Sequence, residues 1–349
     1  MKRKEDENMK KSLAILLAGA MVVASLTACG SEKKETTAET TAETTAETSA
    51  ETTGESKAAA DGETYKIGVL QLTEHAALDA ANEGFVAALD DSGISYEIDQ
   101  QNAQNDQSAC QTIAEKLVND GDDLILAIAT PAAQAVAGVT TEIPIVGTAI
   151  TDFADSGLVE DNAAPGGNVT GSSDLTPIEA QIELLQKVLP DAKKIGILYC
   201  SAESNSEIQL QMTKDACDAA NLEYEEFSVA SSNEIQSVVE SAVGKVDCIY
   251  TFTDNTIAAG MNTVSMVANE NKLPVICGEE GMVEAGGLCT YSISYYELGY
   301  LAGEMAVKIL TEGADPATMP IEYYPAEKCT FVGNDDTAEV LGIDISGLK

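Results

Sequence analysis

From Tyr65 onward, short apolar runs rich in β-branched residues alternate with stretches whose apolar positions recur at helical spacing. The first pattern is that of buried strands, the second that of amphipathic helices. TYKIGVL predicts a strand and ALDAANEGFVAALDDSG a helix closed by Gly93. ISYEIDQ predicts a strand, and DQSACQTIAEKLVNDG a helix with Asp106 as its N-cap. DLILAIA reads as a buried strand, PAAQAVAG as a short helix with Pro131 at its first position, and IPIVGTA as a strand again. Strands alternating with helices mean βαβ units and parallel sheets.

The pattern then begins again. KIGVL (66–70) returns as KIGIL (194–198), GISYEI as NLEYEEF, DDLILAIATPAA as VDCIYTFTDNTI, and EIPIVGTAI as KLPVICGEE. Four matches in one order predict two similar open α/β sheets, that is, two lobes. A helix from Thr176, Pro177 and Glu179, read as a capping box, links the halves. After the second half, YSISYYELGYLAGEMAVKILTEG predicts a long helix ending at Gly313. IEYYP and CTFVGND follow as two short β runs, then a short helix near Thr337–Leu341. A chain that continues after two complete lobes suits extra crossings between them.

The N-terminal segment follows neither pattern. KKSLAILLAGAMVVASLTACG has basic residues, an apolar run shorter than a membrane span, and the sequence Leu26-Thr27-Ala28-Cys29. It resembles a bacterial lipoprotein signal, which implies cleavage after Ala28 and a lipid thioether on Cys29. Acidic residues before Met9 are unusual in such a signal, so translation could start at Met9. The repeated E-T-T-A unit that follows has no apolar periodicity and reads as an extended acidic tether. The expected location is the outer face of a bacterial membrane, anchored by lipid without crossing it.

Composition narrows the function. The 349 residues carry a formal net charge of −39, which argues against a nucleic-acid partner. No calcium loop, C-x-x-C pair, Walker loop or G-x-S-x-G elbow is present, so neither a metal, a cofactor nor an enzyme is expected. Cys110, Cys200, Cys217, Cys248, Cys277, Cys289 and Cys329 read mostly as small buried hydrophobes.

In open parallel sheets, ligands bind beyond the carboxyl ends of the strands. Superposing the repeats pairs Thr130 with Asp254 and Ile150 with Glu280. Thr130 before Pro131 would open a helix whose free N–H groups can hold a carboxylate, whereas Asp254 and Glu280 suit an ammonium. Together they describe an α-amino acid. Equally, Thr130 and Asp254 could be plain helix caps and Glu280 a solvated loop residue. His75, the only histidine, falls at a strand end before a helix, where the helix dipole favours the neutral ring. Its expected role is ligand contact or loop ordering.

VLQLTEHAALDAANEGFVAAL, AIATPAAQA, VGTAITDFADSGLV, NVTGSSDL, SAESNSEIQ, TDNTIA and SISYYELGYLAG resemble the tryptophan/tyrosine-type ABC transporter substrate-binding proteins, of the two-lobed type I periplasmic-binding superfamily. The resemblance implies two lobes joined by three strands, closing on a solute and docking on a membrane permease. It implies a ligand shell of Thr73, Glu74, His75, Leu78, Thr130, Ala132, Ala133, Ser204, Asn205, Asp254, Asn255 and Glu280, with Ile150 to Asp152, Ser172 to Asp174 and Ser292 to Tyr296 near the crossings, of which Ile150 and Tyr296 are counted with the ligand contacts. Ala76 departs from the pattern, where proline is expected. Without tryptophan, an aromatic solute would pack on His75, Tyr199, Phe252, Tyr295 or Tyr296. The expected division is 1–28 signal, 29–63 tether, 64–174 with 293–322 first lobe, and 175–292 with 323–349 second lobe. The favoured solute is an aromatic or other hydrophobic amino acid; a nucleoside, a sugar or a branched-chain amino acid, or a sensor role, are the alternatives.

Overall fold

The computed structural model describes residues 64–348; the signal and tether, Cys29 included, lie outside them. The first half runs β1 (Thr64–Gln71), α1 (Ala76–Ser92), β2 (Ser95–Asn102), α2 (Gln107–Asp120), β3 (Leu124–Ile128), α3 (Thr130–Ala137), β4 (Ile145–Ile150) and β5 (Val169–Ser173). The second runs α4 (Ile178–Val188), β6 (Lys194–Cys200), α5 (Ser204–Ala220), β7 (Glu223–Val229), α6 (Ile235–Ala242), β8 (Cys248–Thr251), α7 (Asn255–Ala259), α8 (Met261–Glu270), β9 (Val275–Cys277), α9 (Glu280–Glu284) and β10 (Cys289–Ser292). The chain ends with α10 (Tyr295–Glu312), β11 (Glu322–Tyr323), β12 (Thr330–Gly333) and α11 (Asp335–Leu341).

Two six-stranded sheets form, ordered β11-β5-β4-β3-β1-β2 and β12-β10-β9-β8-β6-β7. All pairs are parallel except β10 with β12. The repeat is visible in register: Ile67 pairs with Leu124 as Ile195 pairs with Cys248. The chain passes between the sheets after β5, between β10 and α10, and between β11 and β12.

Local sequence explains the ends of most helices. Gly93 closes α1 at φ 74°, and Asp106 caps α2 by accepting from the Ala109 N–H at 2.9 Å. The capping box expected at Thr176 does not form. Helix α4 begins one residue late, after Pro177, and the Thr176 hydroxyl is left buried without a partner. The long helix also starts later than its pattern suggested, because Cys289–Ser292 are drawn into the second sheet and Ser294 caps Tyr295 onward.

Helix α10 returns to the first lobe and lies against α1, with Leu298, Ala302, Ala306 and Ile309 in that lobe's core. A Cβ on Gly84 would collide with the Tyr296 carbonyl, and one on Gly299 with the Ala81 carbonyl. Glycine at both places is therefore what allows the helix backbones to approach so closely. The second sheet has a core on each face, one holding Tyr250 and Phe252 and the other Leu198 and Ile249. Cys110, Cys200, Cys217, Cys248, Cys277 and Cys289 are buried as free thiols, and Cys329 is half-buried. Among the described residues no helix is long and apolar enough to cross a membrane.

Candidate functional site

The strand ends of the two sheets face each other across a narrow cavity. Its walls are His75, Leu78, Ala149, Thr151, Asp174 and Tyr295 from the first lobe and its crossings, and Asn205, Thr253, Asp254, Asn255, Ala258, Glu279 and Met282 from the second.

Hydrogen bonds join the lobes around this cavity. His75 Nε2 lies 3.4 Å from Asn255 Oδ1, and Asn105 Nδ2 donates to Thr256 Oγ1 at 2.9 Å. Gln134 Nε2 reaches Ser204 Oγ at 3.2 Å, and Gln209 Nε2 reaches Thr151 Oγ1 at 3.3 Å. The lobes are closed on one another.

Three polar atoms in the wall have no partner in the protein: His75 Nδ1, Asn205 Oδ1 and Asp174 Oδ1. Asn205 and Asp174 are 2% and 5% exposed, so water does not meet these needs cheaply. All three atoms are acceptors. Asn205 turns its Nδ2 to Glu203 and Asn255 turns its Nδ2 to the same carboxylate, which leaves Asn255 Oδ1 to receive His75 Nε2–H. The neutral ring then presents a bare Nδ1. No lysine or arginine is in the wall.

Burial sets the electrostatics. It pushes Asp174 up to about 6, against a smaller opposing pull from the Tyr295 hydroxyl. It pushes Glu279 up to about 7, although that carboxylate accepts the Gly281 and Met282 N–H groups. Asp254 is raised by burial and then by the neighbouring Glu203. His75 is lowered by burial, with the Asn255 bond and the charges of Asp79 and Glu203 opposing, so burial favours a neutral ring.

Of the residues singled out in the sequence, His75, Leu78, Asn205, Asp254 and Asn255 line the cavity. Asp254 caps α7 through Ile257 N–H, and its other oxygen takes the Cys200 N–H and Ser206 hydroxyl, so its lone pairs are largely committed. Thr130 does not cap α3. That place falls to Ala129 at φ 84°, and Thr130, Ala132 and Ala133 are buried without lining the cavity. Thr73 is buried and its carbonyl takes the Gln71 side chain; Glu74 is exposed on an outer groove. Ser204 bridges the lobes without lining the cavity.

Ile150, Glu280 and Tyr296 each miss the cavity by one residue. Ile150 is in the core while Ala149, at φ 56°, lines the space. Glu279 is the extended residue before α9 and turns inward, whereas Glu280 is already helical and half-buried. Tyr296 is 44% exposed on the outer side of α10, and Tyr295 faces inward. The wall residues not singled out as ligands include Asp174 and Thr151. Their signal was weak: polar residues directly after β5 and β4, where a parallel strand delivers its end to the cleft.

Two hinged α/β lobes closing on an enclosed polar cavity define a solute-binding clamp. Residues 66–347 match the family model described as ABC transporter substrate binding protein, and the chain belongs to that family. It is 40% identical over 336 residues, 95% of this chain and 92% of the relative, to a tyrosine-binding protein of Clostridioides difficile strain R20291. A Streptococcus pneumonia ABC domain solved in complex with L-Trp is 40% identical and superposes with a TM-score of 0.78, covering 81% of this chain and 96% of that one. The ligand-free, open structure of a Clostridium difficile substrate binding protein with adhesive properties is 43% identical but superposes at only 0.62, covering 80% and 95%. A lower score at similar identity fits lobes that are closed here and open there.

Proposed function

We propose that this substrate-binding protein captures an aromatic L-amino acid, tyrosine or tryptophan, and hands it to an ABC permease from a lipid anchor on Cys29 at the outer face of a bacterial membrane. The observation that carries the solute class is the set of bare acceptors, Asp174 Oδ1, Asn205 Oδ1 and His75 Nδ1, in a wall with buried carboxylates and no cation. Such a wall is made for a donor with positive charge, and an α-ammonium is one. The first turn of α1, which has no side-chain cap and places Leu78 in the wall, offers free N–H groups for the α-carboxylate. Tyr295 and His75, with Leu78 and Met282, supply faces for a ring. The tyrosine-binding relative and the L-Trp complex support the same class.

This assigns the ammonium to Asp174 and Asn205 rather than to Asp254 and Glu280. A thermal-shift screen of L-tyrosine, L-tryptophan, L-phenylalanine, L-leucine, nucleosides and sugars tests it. A rise in melting temperature with the aromatic L-amino acids supports the reading; a rise only with sugars or nucleosides overturns it. Labelling of cells with radioactive palmitate tests the anchor: incorporation is expected in the native chain and lost in Cys29→Ser.

A further inference from the structure

Glu203 stands directly before α5, where a helix is often capped, yet it caps nothing there. Its carboxylate instead collects donors from lobe 2. Asn255 gives its backbone N–H at 3.2 Å and its Nδ2 at 2.6 Å. Thr256 gives its N–H at 2.9 Å and its hydroxyl at 2.7 Å, and Asn205 gives its Nδ2 at 3.4 Å. Helix α7 is capped by both carboxylates, Asp254 taking the Ile257 N–H and Glu203 the Asn255 and Thr256 N–H groups, but a cap needs neither the Asn255 amide nor the Thr256 hydroxyl, and Glu203 takes those as well.

A carboxylate can only accept, and that fixes the sense of every group it holds. Asn255 must present Oδ1 away from Glu203, and that oxygen meets His75 Nε2 across the cleft at 3.4 Å. Thr256 has spent its one hydroxyl proton on Glu203, so toward lobe 1 it can only accept, and Asn105 Nδ2 fills that place at 2.9 Å. Asn205 likewise turns Oδ1 into the cavity, where it has no protein partner. We infer that Glu203 is a positioning residue for closure: from 4% exposure in lobe 2 it sets the donor–acceptor sense of the His75–Asn255 and Asn105–Thr256 bridges and of the acceptors turned to the solute. The inference rests on the two-lobe clamp and not on which solute it holds.

The single histidine makes the test clean, because one imidazole gives one set of nitrogen signals. The full chain, labelled with ¹⁵N-histidine, is examined by NMR at pH 7.5 with and without L-tyrosine. The wild-type ring is expected to be neutral and protonated on Nε2, with a slowly exchanging Nε2–H proton when the lobes close. Glu203→Gln, nearly isosteric, is expected to lose that protected proton and to weaken L-tyrosine binding ten- to a hundredfold. In His75→Phe the same Glu203→Gln change should cost less, because the part of its effect that runs through the His75–Asn255 contact is already gone. An Nδ1-protonated ring in the wild type overturns the inference, even if no variant folds. So does a protected Nε2–H that survives Glu203→Gln, or losses that simply add in the double variant; Glu203 would then be a structural cap. A wild type that ignores L-tyrosine counts against the proposed solute alone, since the tautomer is also read without it.

Discussion

Asp174 accepts the Tyr295 hydroxyl at 2.8 Å, and this bond ties the first chain crossing to the second. Both residues also line the cavity, and the other Asp174 oxygen is bare. The group proposed to meet the solute's charge is thus built into the hinge. A solute that engages it acts where the lobes pivot, which is how differential contact with the closed state shifts the open–closed balance.

The first prediction follows from that charge. Asp174→Asn keeps the shape and can still meet Tyr295, but removes the negative charge opposite the ammonium. A hydrogen bond to a charged group contributes about 1.5–3 kcal/mol, or roughly ten- to a hundredfold in affinity. Calorimetric titration with L-tyrosine or L-tryptophan should show that loss. Unchanged affinity would remove Asp174 from the ammonium site.

Affinity should also depend on pH. Burial holds Asp174 at about 6 in the ligand-free closed form, against an ordinary 3.8. An ammonium alongside favours the ionised form, so binding expels a proton from the protonated fraction. Binding should be full above about pH 7 and weaken as pH falls through 6. Titrations at pH 5 and 7.5 check the direction, and equal affinities at both would contradict it.

Ligand-free stability should run the opposite way. Asp174 at about 6, Glu279 at about 7 and Asp122 at about 6 all have folded values above their ordinary 3.8 or 4.5, chiefly from burial. Their stabilising contribution is full below the ordinary values and is lost as pH rises through the folded ones. Carboxylates held low, such as Asp99 beside Lys116, titrate below this window, and His75, lowered by burial, opposes the trend as one group against three. The ligand-free melting temperature should therefore be higher at pH 5.5 than at pH 8, and Glu279→Gln should flatten the slope. A melting temperature that rises with pH would refute the assignment.

Gly299→Val should damage the scaffold without touching the cavity. Even the first added carbon meets the Ala81 carbonyl, and backbone cannot yield as a side chain does. Forcing atoms into a packed interface costs about 1–3 kcal/mol or more. Thermal denaturation should show a clear loss; a native melting temperature would mean that α1 and α10 pack less tightly than described.

The sequence carried the architecture because its signals are long and redundant. Each strand–helix unit appears twice, and the β1–β3 and β6–β8 registers repeat as the motifs KIGVL and KIGIL suggested. The cavity was less legible because it depends on single-residue phase at strand ends. Whether Glu279 or Glu280 faces the cleft turns on where α9 begins, and an extended residue just before a helix points differently from the first helical one. The same step separates Tyr295 from Tyr296 and Ala149 from Ile150. Ala129 and Ala149 take positive φ without being glycine, so nothing in their identity announced these turns. Asp174 could be placed near a crossing, but its bare oxygen is a fact of three-dimensional packing alone.

The most direct test is a crystal structure of the protein grown with L-tyrosine or L-tryptophan. The amino nitrogen should lie within hydrogen-bonding distance of Asp174 Oδ1 and Asn205 Oδ1, with the ring against Tyr295 or His75 and both lobes in contact with the solute. A solute held by one lobe only, or one whose carboxylate rather than its ammonium faces Asp174, would contradict the account.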